Sequence, residues 1–160
     1  MYDFTTVDAE QLKQMNESRR KQVGGWISES ELDNPITNEL RFNYRYVCVR
    51  ETMYFGQEGN RLELQIKPEA RHIHLAYIGV GPEFRRQGVG TRMMVTLTAL
   101  ADKYGYSIDL DVTPKFGVSR EVLVSFYQRF DFTFDGFKRM FHMVRPATTV
   151  MEAGNGTLRP

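Results

Sequence analysis

Two arginines, Arg85 and Arg86, stand just ahead of two glycines, Gly88 and Gly90, and Thr91 follows where an apolar helical pattern starts. These residue types in this order suit one task. A helix N-terminus presents backbone N–H groups without intrahelical partners and about half a positive charge. Glycines there remove side chains that would hold an anion away from those amides. Guanidinium groups fork onto phosphate oxygens, and a hydroxyl adds one more donor. The run from Arg85 through Gln87 and Val89 to Thr91 is therefore a candidate pyrophosphate site of the kind helix N-termini provide. A tight strand-to-helix turn with solvated arginines would use the same residues and need no ligand. Two better-known nucleotide loops do not match. No glycine is followed at the required spacing by Gly-Lys-Ser or Gly-Lys-Thr. Met93 stands where a dinucleotide fingerprint needs its third glycine, and Asp109 and Asp111 lie inside a predicted strand rather than at its end.

At 160 residues the chain is the size of one domain with a real core, and its 41% hydrophobic and 26% charged residues are ordinary for a globular protein. A net charge of +1 supplies no general pull toward nucleic acid or membrane, so anion binding has to be local. Cys48 is the single cysteine, which excludes an internal disulfide and a cysteine-based metal site; no metal is expected. With no membrane-length apolar run and no leader pattern at MYDFTTVDAE, the expectation is a soluble, cytoplasmic protein.

The elements that must position the loop follow from periodicity. VDAEQLKQMNESRRKQVGG predicts a first helix, capped by Asp8 with Gln11 three residues on and stopped at Gly24-Gly25. WISESELDNP predicts a loop with one helical turn ended by Pro35. LRFNYRYVCVRE alternates, Phe42, Tyr44 and Tyr46 against Arg41, Asn43 and Arg45, which predicts a strand. FGQEGN predicts a hairpin turn and RLELQIK the next strand. RHIHLAYIGVG is apolar on both faces and predicts a central strand. Met94, Leu97, Ala101 and Tyr104 predict a helix from Gly90 that closes at Gly105, and YSIDLDV a strand after it. SREVLVSFYQRF predicts an amphipathic helix carrying Leu123, Phe126, Tyr127 and Phe130. FTFDGFKRMFHMV predicts a closing hairpin around Asp135-Gly136, and ATTVMEAGNGTLRP, without periodicity, a frayed tail. The order α, β, β, β, α, β, α, β, β gives an α+β or mixed α/β fold. Antiparallel strands come first, then a β-α-β crossover that opens with the strand ahead of the arginines. One domain over residues 1–146 and a flexible tail over 147–160 is the expected organisation.

VGPEFRRQGVGT, starting at Val80, resembles residue for residue the acyl-CoA-binding signature of the GNAT superfamily of N-acetyltransferases. That signature is a strand-terminal valine, a proline two later, an aromatic, then Arg/Gln-x-x-Gly-x-Gly/Ala opening a helix. Element order is similar to that family over roughly residues 1–146. The resemblance implies a GNAT-like central, mostly antiparallel sheet with a β-α-β acyl-CoA-binding crossover and flanking helices. It also implies an enzyme that moves the acetyl group of acetyl-CoA directly to a primary amine in a ternary complex. Coenzyme A would then place its pyrophosphate on residues 85–91 and its pantetheine arm along the backbone of Ile78 and Val80, with Gly79 at the bulge that splays two parallel strands. FYQRFDF resembles the second signature of the family and implies Tyr127 as proton donor to the departing thiolate. A core aromatic on a stripe with Leu123 and Phe130 would look the same. Three places depart from the pattern. Arg120 stands where the family often has asparagine, TPKFGVS is a longer loop than usual, and Asp131 replaces the glycine after the helix.

An amine attacks only after losing a proton, and a lysine-like amine of pKa about 10.4 is nearly all protonated at neutral pH. A histidine of pKa about 6.5 can relay that proton, directly or through water. Alternation along HIHLAYIGV puts His72, His74, Ala76, Ile78 and Val80 on one face. His74, six residues before Val80, stands where base residues of the family are found, and the resemblance implies it as catalytic base with His72 as a second relay. A strand histidine bonded to a neighbour is the alternative. His142 reads as structural, and Cys48, between Val47 and Val49, as a small buried side chain rather than an acyl carrier. For the acceptor, Trp26 could stack, and Glu29, Glu31, Asp33, Asp109 and Asp111 could attract a cationic amine, although each carboxylate equally suits a solvated surface. Residues 19–21 read as a wet basic helix face, and no aromatic-and-basic platform for nucleic acid is present. The acceptor is a small molecule or a protein whose identity the residues do not specify. No membrane partner is expected, charge disfavours nucleic acid, and a homodimer is open. The rival classes are a domain that binds acyl-CoA without turnover and a related enzyme whose amine sits on a nucleic acid.

Overall fold

The computed structural model describes residues 34–49, 52–57, 59–114, 117–136 and 140–148. The predicted first helix, Trp26, Glu29, Glu31, Asp33 and the tail from residue 149 lie outside the described residues. Three helices and seven strands follow one another within them: α1 (Pro35–Asn43), β1 (Arg45–Val49), β2 (Thr52–Gln57), β3 (Asn60–Lys67), β4 (His72–Gly79), α2 (Val89–Tyr104), β5 (Ser107–Asp111), α3 (Arg120–Gln128), β6 (Thr133–Phe134) and β7 (His142–Arg145). The strands form one sheet in the order β1-β2-β3-β4-β5-β7-β6. Every neighbouring pair is antiparallel except β4 and β5, the two strands joined by the crossover through α2. The fold is thus α+β, with the mostly antiparallel sheet and β-α-β crossover expected.

The chain before β1 differs from expectation. Residues 40–43 are helical, and Pro35 opens a helix instead of ending a turn. Asn34 caps α1, its Oδ1 accepting the Thr37 N–H at 2.9 Å, and Pro35 takes the first position, where no N–H is needed. Ile36 and Leu40, one helical turn apart, bury one face, and that periodicity outweighs the short alternation that follows it. A strand was also missing from the expected order. Residues 45–49 and 52–57 form two antiparallel strands, so Phe55 and Gly56 of the predicted turn lie in β2, which pairs onward with β3 from Gln57 against Asn60. The closing hairpin is looser than an Asp-Gly turn. Thr133 pairs with Val144 and Phe134 with Met143, leaving residues 135–141 between the strands.

One face of the sheet carries the core. Leu62, Leu64 and Ile66 of β3, Ile73 and Leu75 of β4, and Ile108 and Leu110 of β5 are buried together with Met94, Leu97 and Ala101 of α2. Each Leu, Ile or Met side chain among them contributes about 1.5–3 kcal/mol by leaving water. Arg145, also buried, ties this face together. Its guanidinium donates to both carboxylate oxygens of Asp102 on α2, at 2.7 and 2.8 Å, and its Nε donates to the Phe130 carbonyl at 3.0 Å. Thr148, within the segment expected to fray, donates to Asp102 at 2.6 Å.

β4 breaks its alternation once. Leu64 faces Leu75 and Glu63 faces Tyr77, so Ala76 is an extra residue, a bulge. Ile73, Leu75 and Ile78 therefore face the core with Ile66, Leu64 and Leu62, whereas His72, His74 and Tyr77 fall on the opposite face. Two expectations are corrected by this. The bulge sits at Ala76, not Gly79, and His74 does not share a face with Ile78, because one inserted residue inverts a period-two pattern.

Candidate active site

Beyond Gly79 the chain reaches α2 through a single 3-10 turn, Pro82–Phe84. Asn60, buried at the start of β3, accepts the Gly81 N–H on its Oδ1 at 3.1 Å and fixes where β4 stops. Arg86 and Gly88 both adopt left-handed backbone, with φ of 61° and 74°. Gly88 is the N-cap of α2 and has no side chain to cap with. The first backbone bond into the helix runs from Arg92 N–H to the Gly88 carbonyl, at 2.9 Å. The amides of Val89, Gly90 and Thr91 are thereby left facing outward for another acceptor. The loop is braced from within. Gln87 Nε2 donates to the Glu83 carbonyl at 2.7 Å, Arg92 to the Gln87 carbonyl at 3.0 Å, and Arg85 Nε to the Val80 carbonyl at 3.3 Å. A Cβ on Gly90 would lie 3.5 Å from Val80 and 3.7 Å from Phe126, ordinary contact distances. The missing side chain at Gly90 thus keeps space open over the helix end, whereas Gly88 is needed for its backbone angle.

A cleft of about 470 Å³ begins at this helix end. Ile78, Val80, Arg85, Arg86 and residues 88–91 line it; Gln87 does not, its amide being turned back onto Glu83. The cleft enters the sheet where two strands part. The last β4–β5 pair is His74 with Asp109, after which β4 continues against β3 and β5 against β7. Walls from both sheet faces therefore meet in it. Tyr127 contributes from the helix side, packed edge-on against Phe126 at 5.3 Å and near Phe132 at 5.9 Å. Burial, and then the nearby Tyr77, pushes its phenol up to about 12. Tyr77 and Asp111 contribute from the opposite face. Gly79 makes room for Tyr77, since a Cβ there would come within 2.5 Å of the ring.

His74 does not line the cleft. It is half-buried, and its Nδ1 donates to Asp109 Oδ1 at 2.7 Å, which raises it above the ordinary histidine value. His72 approaches the same oxygen through Nε2 at 3.2 Å, and its Nδ1 lies 2.9 Å from Ser107 Oγ. Burial alone would push Asp109 up, but hydrogen bonds from His72 and His74 outweigh it and hold the carboxyl far below the usual range. His142 completes the group. Buried on β7, it places Nδ1 3.0 Å from Asp111 Oδ1 and Nε2 3.3 Å from Asp109 Oδ2. All three histidines of the chain thus gather along the two carboxylates of β5.

Sequence reasoning did not single out Asn60 or Tyr77, and it did not join His142 to Asp111. Only strand pairing brings the last two together; the spacing of Asp109 and Asp111 on one strand face was the signal available. Two of the three departures from the family pattern, Arg120 and Asp131, have a local setting in the structure. The Arg120 guanidinium lies 3.8 Å over the Phe141 ring. Asp131 has φ of 65°, a left-handed angle that glycine adopts freely and aspartate tolerates. Among the described residues no group of His, Cys, Asp and Glu is arranged to hold a metal ion, and no helix is long and apolar enough to cross a membrane.

The sequence model of the acetyltransferase (GNAT) family matches residues 46–132, more than half of the chain. No curated protein matches the chain by sequence. Among solved structures, the anti-CRISPR protein AcrVA5 superposes with a TM-score of 0.51 at 23% identity, covering 59% of this chain and 97% of its own. The ribosomal-protein-S18-alanine N-acetyltransferase from Escherichia coli superposes with a TM-score of 0.51 at 15% identity, covering 92% of this chain and 94% of its own. At these identities the likeness concerns the fold.

Proposed function

Since the chain belongs to the GNAT acetyltransferase family, we propose that it transfers the acetyl group of acetyl-CoA directly to a primary amine, on a small molecule or a protein, within a ternary complex. One observation carries this reading. A single cleft joins an anion-ready helix end to a buried tyrosine through the gap between two parting parallel strands. When bound, acetyl-CoA supplies an activated thioester whose carbonyl carbon accepts the amine.

The chain's own groups divide the work. Arg85, Arg86 and the outward amides of Val89, Gly90 and Thr91 bind the pyrophosphate. The backbone of Ile78, on the stretch of β4 past its last β5 pair, and of Val80, one residue beyond the strand, holds the pantetheine arm and offers N–H groups to the thioester oxygen as charge develops. Tyr127 donates to the departing sulfur. With its pKa pushed up to about 12 it stays protonated at any working pH. Full transfer to a thiolate of pKa about 8.5 would be uphill by about 5 kcal/mol, so the phenol acts first as a hydrogen-bond donor to the sulfur. His74, made more basic by Asp109, belongs to the histidine group that takes up the amine's proton, and it reaches the cleft through its neighbours rather than directly.

Thermal unfolding across a concentration series of acetyl-CoA, with NAD and ATP as controls, tests the site. A ligand that binds the folded chain alone stabilises it by about 2.7 kcal/mol at a hundred times its dissociation constant. A rise with acetyl-CoA, followed by thiol release when amines are added, is the expected result. No rise at millimolar acetyl-CoA would overturn the reading.

A further inference from the structure

We propose that Tyr77 and Asp111 form an acceptor subsite for a dication, an amine that reacts through one nitrogen while Asp111 holds a second cationic group that does not react. This rests on the acetyl-transfer reading above and narrows its acceptor. The two residues stand on either side of an opened sheet. The last β4–β5 pair is His74 with Asp109. Asp111 comes two residues further along β5, and Tyr77 three further along β4, because the bulge at Ala76 adds one. Both therefore take the next position on the face opposite the core, flanking the gap between the parted strands, and both line the cleft. Gly79 leaves the space that the Tyr77 ring takes up, since a Cβ there would lie 2.8 Å from the Tyr77 hydroxyl.

Asp111 is the one carboxylate among the described residues that line the cleft, and 40% of its side chain is exposed. The other charged groups of this face are turned to one another. Arg61 pairs with Glu63 at 2.8 Å and sits 5.1 Å over the Tyr77 ring. Asp109 is engaged by His72 and His74 and does not line the cleft. His142 fixes Asp111 from the buried side. An ionised carboxylate only accepts, so the 3.0 Å contact is the His142 Nδ1–H donating to Asp111 Oδ1. That makes His142 a positioning residue. At the far end of the same cleft, Arg85 and Arg86 supply positive charge. Charges of opposite sign at its two ends suit an anionic cofactor and a cationic acceptor.

An acceptor with one amine would be poorly served by Asp111. Nitrogen attacks an acyl carbon only through a free lone pair, so an ammonium has to lose its proton first. A carboxylate beside that nitrogen favours its charged form. Taking the proton itself is unfavourable by roughly six powers of ten, from an amine of pKa about 10.4 to a carboxylate of about 3.9. A second cation on the same acceptor removes the conflict. Paired with Asp111, it cancels the field that would hold the proton on the reacting nitrogen. The Tyr77 ring offers an apolar wall to the methylenes between the two nitrogens. Short diamines have this chemistry, and so does a lysine next to another lysine in a peptide.

Paired probe amines isolate the second charge. 1,3-Diaminopropane, 1,4-diaminobutane and 1,5-diaminopentane are each compared with the amino alcohol of equal length, in which a hydroxyl replaces one ammonium. Thiol release at saturating acetyl-CoA is the readout. For at least one length the diamine should exceed its amino alcohol in kcat/KM by about tenfold or more, with the difference in KM. Asp111→Asn should bring that ratio down to about two, the statistical factor for two equal ends, without changing the acetyl-CoA dissociation constant. Asp111→Glu should keep part of the preference. His142→Asn, which retains an N–H near the Nδ1 position, should keep more of it than His142→Ala. A peptide containing Lys-Lys, set against one containing Lys-Gln, repeats the comparison for a protein acceptor. Preference in the peptides alone assigns the dication to a protein, and preference in the diamines alone to a small molecule. No preference for the second charge in any pair overturns the proposal, as does a preference that survives in a folded Asp111→Asn variant. An equal loss on both members of a pair in that variant overturns it too, and each of these results leaves acetyl transfer standing. Failure of the wild type to bind acetyl-CoA overturns the transfer reading instead. Where no probe reacts, calorimetric binding of the same pairs to the chain loaded with coenzyme A decides, and a diamine held no more tightly than its amino alcohol overturns the proposal.

Discussion

Replacing Tyr127 by phenylalanine removes one oxygen and leaves the ring that packs 5.3 Å from Phe126 and 5.9 Å from Phe132. No packing is lost, so near pH 8 the variant should unfold within about 0.5 kcal/mol of the parent. Affinity for acetyl-CoA, which the proposed function assigns to the loop before α2, should also hold. Turnover should fall about a hundredfold or more, equivalent to about 2.7 kcal/mol, because the donor to the leaving sulfur is gone. The same substitution makes a separate prediction in alkali. Folding pushes the phenol up to about 12 from an unfolded value of about 10. Between those values the unfolded chain has released the proton and the folded chain keeps it, so the parent loses stability as pH rises through the window. The loss is about 1.4 kcal/mol by pH 11, and below pH 10 the group adds no slope. Phenylalanine has no such term. Tyr44 and Tyr106, also raised by burial, contribute equally to both proteins and cancel. Urea unfolding at pH 8 and pH 11 measures the difference, and thiol release at saturating acetyl-CoA measures the rate. Equal alkaline loss in both proteins would refute the buried phenol. A matched fall in rate and acetyl-CoA affinity would reduce Tyr127 to a packing residue.

Gly88→Ala forces a side chain into a left-handed angle and should cost about 1 kcal/mol of stability, together with acetyl-CoA affinity. Gly90→Ala meets its neighbours at ordinary distances, so its melting temperature should stay unchanged while acetyl-CoA binding weakens, a contrast calorimetry would show. Arg145→Ala breaks the two bonds to Asp102 and should cost about 2 kcal/mol, less than a fully buried pair because Asp102 reaches water. That arginine holds Asp102 below its usual value, so the stability it lends is present above pH about 3.8 and lost in stronger acid. The variant should therefore show a flatter acid limb in unfolding curves followed from pH 7 to pH 2.

The loop before α2 was legible because its chemistry is local. Arginines, glycines and a helix start are contiguous, and the angles of Arg86 and Gly88 depend on their immediate neighbours. The helix that follows and the helix bearing Tyr127 were legible for the same reason, each set by one hydrophobic period, and the strand before the loop was legible as an apolar run although its alternation breaks at Ala76. Where two periods competed, the shorter view failed. Alternation at Phe42 and Tyr44 predicted a strand, but the burial of Ile36 and Leu40 made a helix end there.

Which carboxylates the histidines meet was not local at all. One inserted residue at Ala76, visible only once β4 is laid against β3, turned His74 away from Ile78. Pairing of β5 with β7 then brought His142 to Asp111 across 31 positions of sequence. By itself the sequence determined the turn before α2, because its arginines, glycines and helix start lie within a few bonds of one another. The tertiary structure decided the grouping of the histidines, because strand register, and not spacing along the chain, sets which imidazole meets which carboxylate.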